Sequence, residues 1–259
     1  MMQCPDIIKT LEQLAPLEAA APWDNSGVQV IGGKEEISCL AVVLDPSPEN
    51  VDKALHLGAD FILSHHPLCF EPFFLNENNS HTRIVRKLMQ AGVCLYSAHT
   101  SLDGEPAGPV RWLAWELGLS NIQMLEPLAE GSPYGFGYCG ALPQKQDFKN
   151  FITNLSGHLT ANRLNICGKA PEVVENVACC PGSGAGMWKA AKALGADVLI
   201  TGDVKYHVAL DTEVCIIDVG HFSLEEEMML RFAKILEQKL AGVKVVFIEA
   251  RDPIQPYTI

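Results

Sequence analysis

The sequence predicts an α/β fold built from two related lobes, and three observations lead to this prediction. Continuous apolar runs such as residues 39–44 are typical of strands that are covered on both faces of a sheet. Helical patterns that end at glycine separate these runs, as expected for βαβ units. Part of the first half also recurs in the second half. A chain of 259 residues can form two such lobes around substantial cores.

The predicted elements follow in this order. Helical spacing predicts a first helix over residues 6–20, and the strand at 39–44 leads into a helix at 49–57 and a strand at 61–63. The later elements are a helix at 82–90, a strand at 93–97, a helix at 109–118, a strand at 138–142, a helix at 147–155, a strand at 162–167, a helix from 187, strands at 198–201 and 214–216, a helix from 224 toward 242 and a strand at 243–248. A break rich in Gly, Pro and acidic residues at 126–132 predicts a boundary between a first lobe, residues 1–125, and a second lobe, residues 126–259.

The composition narrows the classes of function. A net charge of −12 and a pI near 5.1 argue against a broad basic surface for nucleic acid. No apolar run approaches the roughly 18 residues of a membrane span, so no membrane segment is expected. The first residues lack a basic region followed by an apolar run, which predicts a cytoplasmic protein. Nine cysteines without Cys-x-x-Cys spacing predict reduced, buried thiols rather than a disulfide or zinc-thiolate framework.

Two pairs of segments make up the internal repeat. Residues 57–64 and 194–201 share Leu-Gly-Ala-Asp followed by an apolar strand, and residues 99–103 and 221–225 share the pattern His-x-Ser-Leu-acid. Two matches in the same order predict lobes related by a pseudo-twofold axis, with their strand ends facing one cleft. That arrangement places two groups opposite each other, namely His65, His66 and Asp103 from the first lobe and His221 and Glu225 from the second.

The chemistry of these groups predicts a metal site in the cleft between the lobes. His65 and His66 directly follow a buried strand, and two adjacent histidines on a turn can serve one metal or two neighbouring metals. Imidazole and carboxylate ligands suit zinc, iron, manganese or nickel better than calcium or magnesium. A carboxylate such as Glu225 can bridge two ions. The alternative is a structural role, in which the histidines brace the lobes and no stoichiometric metal binds.

Four further segments have a structural and a functional interpretation. The turn at 23–27 is better explained by local Asx hydrogen bonds than by direct catalysis. The glycines at 182–186 match neither the Walker nor the Rossmann pattern, so a tight strand-to-helix turn is favoured over anion binding. The segment 223–226 fits a capping box at the start of a helix. Polar residues at 203–207 either supply proton donors and substrate contacts or brace the cleft.

Five segments together carry a resemblance to a known family. They are 23–27 (Trp-Asp-Asn-Ser-Gly), 64–68 (Ser-His-His-Pro-Leu), 99–103 (His-Thr-Ser-Leu-Asp), 201–207 (Thr-Gly-Asp-Val-Lys-Tyr-His) and 218–221 (Asp-Val-Gly-His) with Glu225. Over nearly the whole chain they resemble the NGG-interacting-factor-three-like family, whose members are often labelled GTP cyclohydrolase I type 2. The resemblance implies a dinuclear metal centre, a ring-shaped homohexamer with its sites facing an interior cavity, and a short form without the domain that longer members insert between the lobes. The ligands that it implies are His65, His66, Asp103, His221 and Glu225.

Two classes of function are expected. The first is a metal-dependent hydrolase of the GTP cyclohydrolase I type 2-like type, which acts on a nucleotide or related small molecule through a metal-bound hydroxide. In this hydrolase two divalent ions per chain (zinc, iron, manganese or nickel) activate water, Glu225 takes part in catalysis, and His207 or His99 moves protons. The second class is a non-catalytic metal-binding scaffold, metal carrier or regulatory partner protein.

Overall fold

The computed structural model describes residues 1–160 and 163–255 of the chain. They divide into two compact units. The first unit comprises Met1–Pro109 and Met228–Arg251, and the second comprises Val110–Glu227 with the residues that follow Arg251. Both units contain strands and helices, so the predicted α/β class is confirmed. Within the described ranges, no helix is both long and apolar enough to cross a membrane.

The elements are numbered in chain order over the described residues. The strands are β1 (Met2–Gln3), β2 (Gly27–Val30), β3 (Glu36–Ile37), β4 (Cys39–Val43), β5 (Phe61–Ser64), β6 (Cys94–Ser97), β7 (Ser120–Pro127), β8 (Gly135–Asp147), β9 (Asn165–Cys167), β10 (Val173–Cys179), β11 (Val198–Thr201), β12 (Cys215–Asp218) and β13 (Lys244–Phe247). The α-helices are α1 (Cys4–Leu14), α2 (Pro48–His56), α3 (Ser80–Ala91), α4 (Thr100–Asp103), α5 (Trp112–Glu116), α6 (Phe148–Ser156), α7 (Trp188–Ala193), α8 (Tyr206–Asp211) and α9 (His221–Lys239). Asn162, at which the predicted strand 162–167 begins, lies outside the described residues, as do residues 256–259 of the predicted second lobe.

A five-stranded sheet forms the centre of the first unit. Its strand order is β13-β4-β5-β6-β2, in which the first four strands run parallel and β2 is antiparallel to β6. Every residue of β4, β5 and β6 is buried, which explains why their sequences show no polar alternation. Helices α2 and α3 begin at side-chain caps, Ser47 and Asn79 respectively, and make the crossovers. Strands β5 and β6 end next to the predicted histidines His65, His66 and His99.

A six-stranded sheet forms the centre of the second unit. Its order is β7-β8-β10-β11-β12-β9, with β10, β11 and β12 parallel and with β8 and β9 antiparallel to their neighbours. Asp203 follows β11, and His221 follows β12. In each unit, polar residues therefore follow the carboxyl ends of adjacent parallel strands, which is where open α/β sheets place ligands. The predicted pseudo-twofold axis and the shared cleft stay predictions.

An aspartate of the repeated Leu-Gly-Ala-Asp segment has the same local role in each unit. In the first unit, Oδ2 of Asp60 accepts hydrogen bonds from the backbone N–H groups of Ser38 at 2.9 Å and Cys39 at 3.1 Å. In the second unit, Oδ2 of Asp197 accepts from the backbone N–H groups at 175 and 176, both at 2.8 Å. Each carboxylate thus fastens its own strand to the neighbouring parallel strand.

We expect Asp60→Asn to lower the free energy of unfolding by about 1–2 kcal/mol at neutral pH, because a charged acceptor for Ser38, Cys39 and Lys34 is lost. Burial alone would raise the pKa of Asp60, but the hydrogen bonds outweigh burial and lower the pKa from 3.8 to about 2. The contribution of Asp60 to stability is therefore complete well above pH 3.8 and is lost as the pH falls toward about 2. Urea unfolding of parent and variant between neutral and acid pH measures this loss.

Asp52→Asn provides the matched control, since Asp52 is exposed and forms a surface ion pair with Lys87. Such pairs are worth about 0–1 kcal/mol, so this variant should remain close to the parent at every pH. A stability difference between parent and Asp60→Asn that stays constant into the acid range contradicts the assigned role.

Several boundaries differ from those predicted. Helix α1 ends at Leu14 rather than near residue 20, because Pro16 stops it and the chain continues into a 3₁₀ turn. The break at 126–132 closes a hairpin, since β7 and β8 pair up to Pro127 opposite Gly135. The compact units accordingly follow no single division of the chain near residue 126, and β13 returns to the first sheet beside β4.

Candidate metal centre

His65 is the first of the two histidines that follow β5, and it is completely buried. Its Nδ1 lies 2.9 Å from the carbonyl oxygen of Ala98. Because a carbonyl oxygen can only accept, Nδ1 carries the hydrogen, and Nε2 of the neutral ring carries the lone pair that can bind a metal. This Nε2 lies 3.8 Å from Oδ1 of Asp103, in the short helix α4. The first unit therefore holds an imidazole and a carboxylate close together.

His66 lies on the turn after β5, and its ring is oriented in a similar way. Its Nδ1 is 2.7 Å from Oδ1 of Asp45, which follows β4. Two hydroxyl groups fix the turn, since Ser64 Oγ donates to the carbonyl oxygen of His66 at 2.8 Å and Ser97 Oγ donates to that of His65 at 2.6 Å. The ring centroids of His65 and His66 lie 5.0 Å apart, so one turn presents both imidazoles side by side.

His99 completes a group of three histidines in the first unit. One donor nitrogen from each of His65, His66 and His99 lies within 4.8 Å of the others. The sequence predicts His99 as a proton-transfer residue outside the ligand set, and the structure brings its ring into this donor group. A position beside the predicted ligands suits proton transfer to a group bound there.

Asp24 is the buried carboxylate that orients His99. It accepts hydrogen bonds from His99 Nδ1 at 2.7 Å, from Ser26 Oγ at 2.6 Å, and from the backbone N–H and hydroxyl of Thr100 at 3.1 and 2.5 Å. Burial by itself would raise the pKa of Asp24, but these hydrogen bonds outweigh burial and hold the pKa below its usual range. The bond from the Thr100 N–H also caps α4, where His99 supplies no side-chain cap. The turn at 23–27 is thus structural and also positions His99 and α4.

The second unit presents a histidine and a carboxylate on one face of a helix. Helix α9 begins at His221, so Glu225 lies four residues further along, and Nε2 of His221 is 2.7 Å from Oε2 of Glu225. The predicted capping box at 223–226 is wrong. Ser223 lies inside the helix, where its hydroxyl donates back to the carbonyl oxygen of Val219 at 2.7 Å. This earlier helix start places His221 and Glu225 together.

Asp203 orients His221 from the turn after β11. Its Oδ2 lies 2.7 Å from Nδ1 of His221 and accepts a hydrogen bond from Ser183 Oγ, also at 2.7 Å. Burial would raise the pKa of Asp203, but the hydrogen bonds from His221 and Ser183 lower it overall. The φ of Asp203 is +54°, a left-handed conformation that aspartate adopts more readily than most residues. This sparsely populated conformation occurs at the residue whose carboxylate orients the ring of His221.

Gly182 allows the chain to pass close to the Glu225 carboxylate. Its φ is +67°, and a Cβ at this position would lie 2.5 Å from Oε1 of Glu225 and 3.5 Å from Cε1 of His221. The glycine-rich segment 182–186 is the tight turn that the sequence favours, and it leads into a 3₁₀ turn over Gly184–Met187. Its contribution to the site is to leave room for a carboxylate and to hold Asp203 through Ser183.

Comparison with known proteins identifies the family of this chain. The family model for Duf34/NIF3 (NGG1p interacting factor 3) matches residues 2–253. The chain belongs to the Duf34/NIF3 family. The GTP cyclohydrolase 1 type 2 homolog of Clostridium perfringens is 31% identical over 98% of this chain and 99% of its own length. NIF3-like protein 1 of Drosophila melanogaster is 27% identical over 96% of this chain and 87% of its own length.

A solved structure extends the similarity to the fold. The crystal structure of a Staphylococcus aureus protein has a TM-score of 0.89 at 26% identity, and the match covers 99% of both chains. The family resemblance that the sequence motifs predict for this Duf34/NIF3 chain is therefore confirmed, and so is its mixed α/β fold.

The donor chemistry of this Duf34/NIF3 protein fits divalent metal ions. Imidazole nitrogens and carboxylate oxygens suit zinc, iron, manganese or nickel. The Nδ1 atoms of the three histidines in the predicted ligand set lie near oxygen acceptors on Ala98, Asp45 and Asp203, an arrangement by which proteins orient metal-binding histidines. His207, in contrast, is exposed on α8, where its ring centroid lies 5.5 Å from that of Tyr206. Among the described residues, His207 belongs to no group of three donors.

Two orienting residues of this Duf34/NIF3 chain were missed by the sequence interpretation. Asp45 lies two residues after the end of the parallel strand β4, and this place near a strand end is the signal that the sequence offers. For Asp24 the sequence favours a turn over direct catalysis, and no spacing in the sequence connects Asp24 with His99. Asp203 was predicted to contact the substrate or to brace the cleft, and its hydrogen bond to His221 shows an orienting role.

Proposed function

We propose that this chain is a metal-dependent hydrolase of the GTP cyclohydrolase I type 2-like type, with two divalent ions per chain and a nucleotide or related small molecule as its substrate. The proposed ligands are His65, His66, Asp103, His221 and Glu225. One observation gives the strongest support. Nδ1 of each of these histidines lies 2.7–2.9 Å from an oxygen acceptor, which supports Nε2 as the nitrogen through which each ring would bind a metal.

Burial and the names of relatives add support. Glu225 is only 3% exposed, and a divalent cation offsets the cost of burying a carboxylate. The relative from Clostridium perfringens is described as a GTP cyclohydrolase 1 type 2 homolog, which supports the proposed reaction class.

A cytoplasmic homohexamer is part of the same proposal. No disulfide joins the nine cysteines, all of which lie among the described residues, and reduced thiols are typical of the cytoplasm.

In the proposed mechanism the chain supplies orientation and proton transfer. The divalent ions, when bound, lower the pKa of a water molecule and polarise a carbonyl, imine or phosphate. Asp24 holds His99 at Nδ1, so Nε2 is the atom at which His99 takes up or releases a proton. Gly182 leaves the space that the Glu225 carboxylate occupies, and Asp203 keeps the His221 ring in one orientation. His207 is the second proposed proton-transfer residue and acts from the exposed helix α8.

Metal analysis of protein purified without chelator tests this proposal. We expect about two equivalents of metal per chain in the parent, and a loss of at least one equivalent in His65→Ala and in Glu225→Ala. His56→Ala is the matched control, because His56 is an exposed histidine at the end of α2 and should leave the metal content unchanged. A parent without stoichiometric metal, or variants that keep the parent's metal content, would contradict the site.

Turnover of the metal-loaded protein separates the hydrolase from the carrier interpretation. With GTP and other nucleotides as substrates, Glu225→Ala should lose at least about 100-fold in kcat/KM relative to the parent. Full metal content in the parent with equal, negligible turnover in parent and Glu225→Ala would contradict the hydrolase and favour a metal carrier or scaffold.

A further inference from the structure

Two exposed aromatic rings lie beside the histidine group of the first unit. Trp23 and Phe70 are 65% and 56% exposed, although large aromatic side chains bury most of their surface in ordinary cores. Their ring centroids are 6.0 Å apart and lie 6.0 and 5.7 Å from the ring centroid of His99. The three rings form one cluster, which we call the aromatic platform (Trp23, Phe70 and His99). His99 therefore belongs both to this platform and to the group of three histidines (His65, His66 and His99).

The two exposed rings are attached to anchored backbone. Trp23 directly precedes Asp24, whose buried carboxylate is held by Ser26 and Thr100. Phe70 directly follows residue 69, whose carbonyl oxygen accepts a hydrogen bond from the side-chain amide of Asn25 at 2.8 Å. One turn of the chain therefore fixes the backbone beside both rings. Rings that are positioned before binding lose less conformational entropy when a ligand arrives.

We propose that the aromatic platform stacks a planar heteroaromatic ring of the substrate, such as the base of a purine nucleotide. This inference rests on the proposed function, because it names the substrate class of the same site. Exposed aromatic faces bind bases by stacking, which is worth about 1–3 kcal/mol per base. The planes of Trp23 and Phe70 are inclined at 54°, so a planar base lies flat on one of the two rings and meets the other ring at an angle. In either position the base lies next to His99, so its ring atoms come within reach of the proton-transfer residue. A sugar phosphate without a base gains nothing from this surface.

Calorimetric titration of chelator-treated protein with GMP tests the inference without turnover. We expect GMP to bind at least tenfold more tightly than ribose 5-phosphate, because the two ligands share a sugar and a phosphate and differ in the base. Trp23→Leu and Phe70→Leu should each weaken GMP binding about tenfold. Trp23→Phe retains an aromatic face and should bind GMP within about threefold of the parent.

Trp115→Leu is the matched control, since Trp115 is a 51% exposed tryptophan on α5 and should leave GMP binding unchanged. Equal GMP affinity in the parent and Trp23→Leu overturns the inference, and so does equal affinity for GMP and ribose 5-phosphate or no GMP binding by the parent. Light scattering provides a further outcome. If Trp23→Leu changes the molar mass of the assembly but not the GMP affinity, the rings form a contact between copies and the inference is overturned.

The measurement that tests the proposed function differs from the one that tests the stacking inference. Absence of stoichiometric metal from the parent would contradict the metal centre, whereas the stacking inference is decided by the GMP affinity of chelator-treated protein. A parent that holds metal and shows no preference for GMP over ribose 5-phosphate leaves the metal centre intact and removes the stacking surface.

Discussion

Gly182→Ala should lower the free energy of unfolding by about 2–5 kcal/mol and reduce the metal content of the protein. A left-handed φ of +67° costs a residue with a Cβ about 1–2 kcal/mol. The added Cβ would also lie 2.5 Å from Oε1 of Glu225, so the carboxylate must move, and such overpacking costs about 1–3 kcal/mol. Because Glu225 is a proposed ligand, its displacement should weaken metal binding. Urea unfolding and metal analysis of the same preparations measure both effects.

Alanine variants of two other glycines distinguish the effect of backbone strain from the effect of the contact with Glu225. Gly195 has a φ of +75° with nothing within 4 Å of an added Cβ, so Gly195→Ala should show only the strain. Gly186 lies in the same turn as Gly182, and its added Cβ also meets nothing within 4 Å. Gly186→Ala should therefore unfold like the parent. If Gly182→Ala and Gly195→Ala lose equal stability and both keep full metal content, the contact with Glu225 affects neither the free energy of unfolding nor metal binding.

Asp24→Ala should lower the free energy of unfolding by about 3–5 kcal/mol. The substitution removes the acceptor shared by His99, Ser26 and Thr100, and it leaves these partly buried donors without that acceptor. Asp24→Asn keeps the size of the side chain and one acceptor oxygen, so its loss should be smaller. Denaturant unfolding at neutral pH measures both variants.

A surface aspartate provides the comparison for Asp24. Asp52→Ala removes only an exposed ion pair with Lys87 and should cost about 0–1 kcal/mol. If Asp24→Ala unfolds at the same denaturant concentration as Asp52→Ala, then Asp24 does not organise the turn, α4 and the His99 ring as the hydrogen bonds indicate.

The sheets and the histidines could be predicted from sequence because their signals are local. A continuous apolar run such as β4 indicates a buried strand, and a polar residue directly after such a run lies at the sheet edge. The same logic correctly placed His65 and His221 at strand ends. Contiguous patterns of this kind reflect burial and backbone geometry, which are determined within a few residues.

The remaining features depend on contacts that sequence spacing does not encode. Asp24 and His99 are separated by 75 positions, so only the folded chain reveals their hydrogen bond. The capping pattern at 223–226 predicts that α9 begins after Ser223, but the helix begins at His221. The Gly- and Pro-rich segment at 126–132 resembles a linker in composition, yet it closes the hairpin of β7 and β8. Composition identifies a turn but does not say whether the chain reverses direction or leaves the unit.

The pairing of β13 with β4 has a consequence for biosynthesis. Strand β4 is completely buried in the folded sheet, and the strand that covers one of its edges follows about 200 residues later. At translation rates of about 5–20 residues per second, that edge waits about 10–40 s for its partner. During this interval the nascent chain exposes an apolar strand with unpaired backbone groups, which is a template for aggregation. Protection of this edge by chaperones during synthesis therefore matters more for this chain than for a protein whose sheets are completed in sequence order.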